Sequence, residues 1–191
     1  MATQTQTYQP SFQSKQPSLI ALFATVIVFL LVAFFSMVTL STGDALWFWP
    51  VFAETPASIT VQCYGSPVTI AADSPHFAEL TALFNDGFSG YKNWDSLSMS
   101  DETYAAYQAD PNMMVLFMKY PAPVRVHSFY KYFANVDTLI VPLDGRHASS
   151  NPVFGTTEGI AAAGALHIAD TDPLSSYLTS NGLCSGLAGA N

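Results

Sequence analysis

The run LIALFATVIVFLLVAFFSMVTL, from Leu19 to Leu40, contains no charged residue, no proline and no glycine. A helix rises about 1.5 Å per residue, so this run reaches about 33 Å, against a hydrocarbon core of about 30 Å. Its backbone groups are satisfied within the helix itself, which is the condition lipid imposes. The competing reading is a cleaved signal peptide. The apolar core of such a peptide spans only about 7–15 residues behind a basic start, and the only charge before this run is Lys15. Residues 19–41 are therefore expected to form an uncleaved, single-pass anchor in the lipid bilayer, preceded by a polar tail over 1–18.

Charge orients the anchor. The first 18 residues carry Lys15 and no acid, a charge of +1, and the remainder holds five basic and fourteen acidic residues, a charge of −9. Lys and Arg near a span favour the cytoplasmic side, and the first basic residue after the run is Lys92. The expectation is a cytoplasmic N-terminus and a periplasmic or extracellular C-terminal domain. The net charge of −8 argues against a nucleic-acid partner, which needs a basic surface. No basic cluster is present to attract anionic lipid.

Directly after the run comes GDALWFWPVFA. Trp47, Phe48 and Trp49 fall where the helix leaves the lipid, the level that indole rings favour, and Pro50 ends any helix. Packing of the rings into the outer domain, or against a neighbouring subunit, are the alternatives. Within the run, Ala21, Thr25, Val28, Val32, Ser36 and Thr39 share one side at helical spacing, with Phe23, Ile27, Leu30, Phe34 and Met37 largely opposite. A small, hydroxylated face lets another membrane helix approach closely. Without a strict GxxxG, lipid contact explains the composition equally well.

Residues 42–57 read as an interfacial connector and 58–191 as one α+β domain, with a mixed or antiparallel sheet and two or three short helices. ITVQCYG and PVTIA are expected strands, separated by Gly65, Ser66 and Pro67. In DSPHFAELTALFNDG, Ser74 caps a helix, Pro75 suits its first turn, Phe77, Leu80 and Phe84 form its buried stripe, and Gly87 stops it. Residues 88–99 read as loop, and Ser100–Pro111 as a short helix. MMVLFMKY, PVRVHSFYKYF, DTLIVPL and GALHIAD read as strands, and TDPLSSYLTSNG as a last helix capped by Asp172 and closed by Gly182.

Cys63 and Cys184 frame the domain, and outside the cytoplasm such a pair can be oxidised. Two separate buried thiols are the alternative. No metal or cofactor is expected. The four histidines, His76, His127, His147 and His167, lack ligand spacing, the cysteines lack CxxC spacing, and no phosphate loop or dinucleotide fingerprint occurs. Asp170 and Asp172 resemble the start of a calcium loop, but Pro173 follows and no downstream Glu completes it. No GxSxG elbow is present. The turn LDGRH gathers Asp144, Arg146 and His147, a candidate polar ligand site or simply a solvated turn. Phe88, Tyr91, Trp94, Tyr104, Tyr107, Tyr120, Phe129, Tyr130, Tyr132 and Phe133 exceed what one core needs, and such rings are enriched at protein interfaces; packing against the domain's own loops or the membrane surface is the alternative.

These features point first to a non-catalytic, single-span accessory subunit of a larger membrane complex, with an energy-converting or electron-transfer assembly as one host. A tethered ligand-binding or sensory domain is the alternative, and a tethered hydrolase built from dispersed residues a third.

Overall fold

The computed structural model describes residues 18–184; the expected tail over 1–17 and the end of the expected domain, 185–191, lie outside them. The chain divides into two compact units, Met1–Met37 and Val38–Asn191. Helix α1, Leu19–Thr42, is 24 residues long, which at about 1.5 Å per residue makes about 36 Å. It is long and apolar enough to be a candidate membrane span. Ala21, Thr25, Val28, Val32 and Ser36 are exposed, and so are the bulky residues opposite them. The Thr25 hydroxyl donates to Ala21 O at 2.8 Å, which satisfies it within the helix.

The second unit is built on an eight-stranded sheet. In chain order the elements are β1 Ser58–Cys63, β2 Ser66–Ile70, α2 Pro75–Phe88, β3 Trp94–Asp95, α3 Asp101–Ala109, β4 Met114–Val124, β5 Val136–Asp144, β6 Pro152–Thr157, β7 Ile160–Ala161, β8 Ala165–His167 and α4 Asp172–Ser180. The spatial order is β2-β1-β4-β5-β6-β8-β3, with β7 against β6. Every pairing is antiparallel.

Alternation decides which face each side chain enters. Ile59, Val61, Leu116, Met118, Leu139, Val141, Val153 and Leu166 join one core, closed by Phe77, Leu80, Phe84 and Phe88 of α2 and Leu174 and Leu178 of α4. Val115, Ile140, Phe154 and Ala165 join a smaller core on the other face, under Met99, Met113 and Tyr107 of α3. β4 and β5 are therefore apolar on both faces, which is why MMVLFMKY and DTLIVPL read as nearly continuous apolar runs.

Several expectations are corrected. Ser66 and Pro67 belong to β2; only Tyr64 and Gly65 make the turn, both with positive φ as a two-residue hairpin requires. Ser74 caps α2 as expected, accepting from His76 N at 3.2 Å. Gly87, however, lies inside that helix. A Cβ there would stand 3.0 Å from Ile168 Cδ1, so this glycine serves close packing, and the helix runs on to bury Phe88. Residues 88–99 are not all loop, because Trp94 and Asp95 pair with β8. PVRVHSFYKYF does not continue as a strand: Val126 N donates to Phe133 O at 2.9 Å, closing a loop whose far side is a 3-10 turn, Lys131–Phe133. PVFGTT forms β6, a strand that the sequence pattern did not reveal. Asp172 is the first residue of α4 and not its cap, a position held by Thr171 without a side-chain bond.

Candidate functional site

Residues 42–57 are a stitched part of the domain. The Thr42 hydroxyl donates to Val38 O at 2.9 Å and accepts from Asp44 N at 3.2 Å. One Asp44 oxygen accepts from Leu46 N at 2.8 Å, the local bond that lets Asp start a turn. The other meets His127 Nδ1 at 2.8 Å, and Asp44 is only 7% exposed. Further on, Phe52 sits in the main core, edge-on to Phe84 and Tyr120 and 5.1 Å from Phe88 between centroids. Its backbone N–H donates to Ser89 Oγ at 3.0 Å. Burying one such ring stabilises by about 2–3 kcal/mol.

The turn so fixed presents the aromatic trio. Trp49 N donates to Leu46 O at 2.7 Å. Trp47 is half-buried and packs on Phe129 at a centroid distance of 4.4 Å and edge-on to Phe48 at 5.4 Å. Phe48 and Trp49 are about half exposed. Of the expected placements, packing into the domain describes Trp47 in part.

These rings wall a cleft of about 200 Å³, completed by Pro50, Gly90, Tyr91, Lys92, His127, Ser128 and Phe129. Lys92 is its chemical centre. It is 5% exposed, and its ammonium donates to Pro50 O at 3.0 Å and Gly90 O at 3.2 Å. The ring of Phe88 lies 5.6 Å from Nζ. The described residues form two ion pairs, His127–Asp44 and His167–Asp95, neither of which includes Lys92. Burial pushes its pKa down from the ordinary lysine value.

The LDGRH turn sends its side chains to different partners. Asp144 accepts from the Tyr64 hydroxyl at 2.7 Å and from Gly145 N; with burial, this raises the tyrosine to about 12. Arg146 is exposed. His147 Nδ1 lies 2.6 Å from the Tyr107 hydroxyl, and the ring stands against Phe154. Burial, then the nearby Arg146 charge, lowers its pKa.

The remaining histidines are engaged too. His76 meets the Tyr177 hydroxyl at 2.9 Å, tying α2 to α4, and His167 uses both ring nitrogens, on Ser150 O and Asp95. Cys63 and Cys184 come together at disulfide distance, with Cα atoms 5.4 Å apart. Of the aromatic set, Phe88, Tyr107, Tyr120 and Phe133 are core residues. Trp94 lies stacked against both Tyr130 and Tyr132, at 5.4 and 5.6 Å, and Tyr91, Phe129 and Tyr132 are exposed.

Sequence reasoning missed the cleft because its parts are far apart in the chain. One signal was available: Lys92 is the sole cation in the stretch from Gly43 to Met118 and sits between Tyr91 and Trp94. Comparison with protein-family models, with characterised sequences and with solved structures yields no match to this chain.

Proposed function

We propose that this chain is a single-span membrane protein, N-terminus in the cytoplasm and folded domain outside, serving as a non-catalytic accessory subunit of a larger membrane assembly. The observation that carries this reading is the join: a 24-residue apolar helix ending at Thr42 runs within five residues into an aromatic surface that the domain fixes in place. Phe48, Trp49, Tyr91, Phe129 and Tyr132 remain exposed there and nearby in the chain, and rings of this kind are enriched where proteins meet. The small-residue side of α1 offers a second contact, with a neighbouring membrane helix.

The test is extraction of native membranes in mild detergent, native gel separation and mass spectrometry of the band. Migration in one large, defined complex supports the proposal, and the co-migrating proteins name the process. Migration as a monomer or homodimer in several detergents overturns it. A second reading, a tethered ligand-binding domain, is favoured by one observation, the buried ammonium at the cleft, and so moves from the LDGRH turn to Lys92.

A further inference from the structure

We infer that the cleft around Lys92 binds the phosphate of a membrane glycerophospholipid, with the aromatic wall receiving the lipid's glycerol and upper acyl chain. The inference rests on the proposed membrane anchorage and deepens it.

An ammonium has three N–H donors. Two of those on Lys92 are taken by Pro50 O and Gly90 O, which leaves one for a ligand. Both partners are neutral carbonyls, and no carboxylate of the described residues pairs with Lys92. A buried charge without a counter-ion is unfavourable, so an anion entering the cleft replaces hydration that the site does not supply. The carbonyls draw the ammonium to one fixed position instead of letting it reach into water.

The wall narrows the anion. Trp47, Phe48, Trp49, Tyr91 and Phe129 make most of it apolar, a surface that a free phosphate leaves uncovered and that an amphiphile fills. The domain side of the chain carries −9 overall, which repels small free anions and weighs little on a lipid already confined to the membrane. The sequence holds no basic cluster of the kind that gathers anionic lipid by surface potential; one buried ammonium instead selects a headgroup by a charge-assisted hydrogen bond.

Chain reach supports the location. Trp47 follows Thr42 by five residues, which extend at most about 18 Å. With the helix end at the edge of the hydrocarbon core, the connection is long enough for the cleft's rim to meet the headgroup layer, which adds roughly 5–8 Å on each side.

The experiment uses the full chain in detergent, with native mass spectrometry to read retained lipid. Two probes are offered at equal concentration, dioleoylphosphatidylglycerol and the phosphate-free dioleoylglycerol. The wild-type chain is expected to retain one phosphatidylglycerol in preference to dioleoylglycerol by about tenfold or more, as a hydrogen bond to a charged group implies. Lys92→Met is expected to abolish the preference, and Lys92→Arg to keep most of it. Lys92→Met removes a buried charge without a counter-ion together with its bonds to Pro50 O and Gly90 O, so its melting temperature is measured beside its lipid preference. Trp49→Ser, at an exposed position, lowers retention of both lipids and serves as the second variant.

Equal preference in wild type and Lys92→Met overturns the inference, and so does displacement of the lipid by millimolar inorganic phosphate. Protection of residues 47–49 and 90–92 from hydrogen exchange only in a native protein complex, and not in phosphatidylglycerol nanodiscs, assigns the cleft to a protein partner and also overturns it. Vesicle flotation separates the two failures. Wild-type chain that does not float with vesicles overturns the membrane reading itself, whereas chain that floats but shows no phosphate preference overturns the lipid site alone.

Discussion

His147 occupies left-handed backbone, at φ +69°, a conformation tolerated by few residues other than glycine, asparagine and aspartate. The turn accepts it because the ring gains a hydroxyl partner in Tyr107 and packs on Phe154. Burial and the Arg146 charge both disfavour the imidazolium, so the folded-state pKa lies below the unfolded value of about 6.5. Between the two values the unfolded chain binds more protons than the folded one, and stability there rises with pH. The stabilisation tied to neutral His147 is thus present above about pH 6.5 and is lost as pH falls through the lowered pKa. His147→Asn keeps the backbone conformation and removes the titration. Urea midpoints at pH 7.5 and 5.0 are expected to fall less in this variant than in wild type. An equal fall in both would assign the acid sensitivity to other groups.

Among the elements, the bond between the end of β1 and the segment after α4 closes a long loop, Cys63 and Cys184 being 121 positions apart. In the chain-entropy model such a link stabilises by about 5 kcal/mol. The double variant Cys63→Ser/Cys184→Ser is expected to lose about 3–5 kcal/mol, and reductant to lower the wild-type melting temperature but not the variant's. An unchanged wild-type melt under full reduction would show that the sheet and helices hold the ends without it. Elements with local signals were legible in the sequence, as at α2, where Ser74 and Pro75 announce the start and Phe77, Leu80 and Phe84 the buried stripe. Elements fixed by distant partners were not. Gly87 carries a stop signal locally, yet Ile168, eighty-one residues on, fills the space where its side chain would stand. β6 hid because Pro152 and Gly155 break the strand pattern, although β5 and β8 flank it. The alternation over 124–127 promised a strand, but Val126 closes a loop on Phe133. The cleft needed three such loops to be placed at once, so only its Trp47–Trp49 wall was visible.

For the whole molecule, two independent physical signals bear on which side of the membrane the domain occupies. The charge signal is slight: Lys15 before the candidate span, and no Lys or Arg after Thr42 until Lys92. The fourteen acids beyond it add little, since orientation follows Lys and Arg and hardly responds to Asp and Glu. The thiol signal is separate, because a structural disulfide persists where the compartment is oxidising, and Cys63 and Cys184 lie at bonding distance. Both agree with the proposed placement of the domain outside, and both are read in one experiment on intact cells. An impermeant alkylating reagent added before lysis is expected to leave both cysteines unlabelled until a reductant is supplied, and an impermeant protease to digest the domain. Cysteines that stay unlabelled even with reductant until the membrane is opened, together with a domain protected from protease until then, would reverse the orientation. The proposed accessory role would then have to be sought on the cytoplasmic face, with the Trp47–Trp49 turn set against the opposite leaflet.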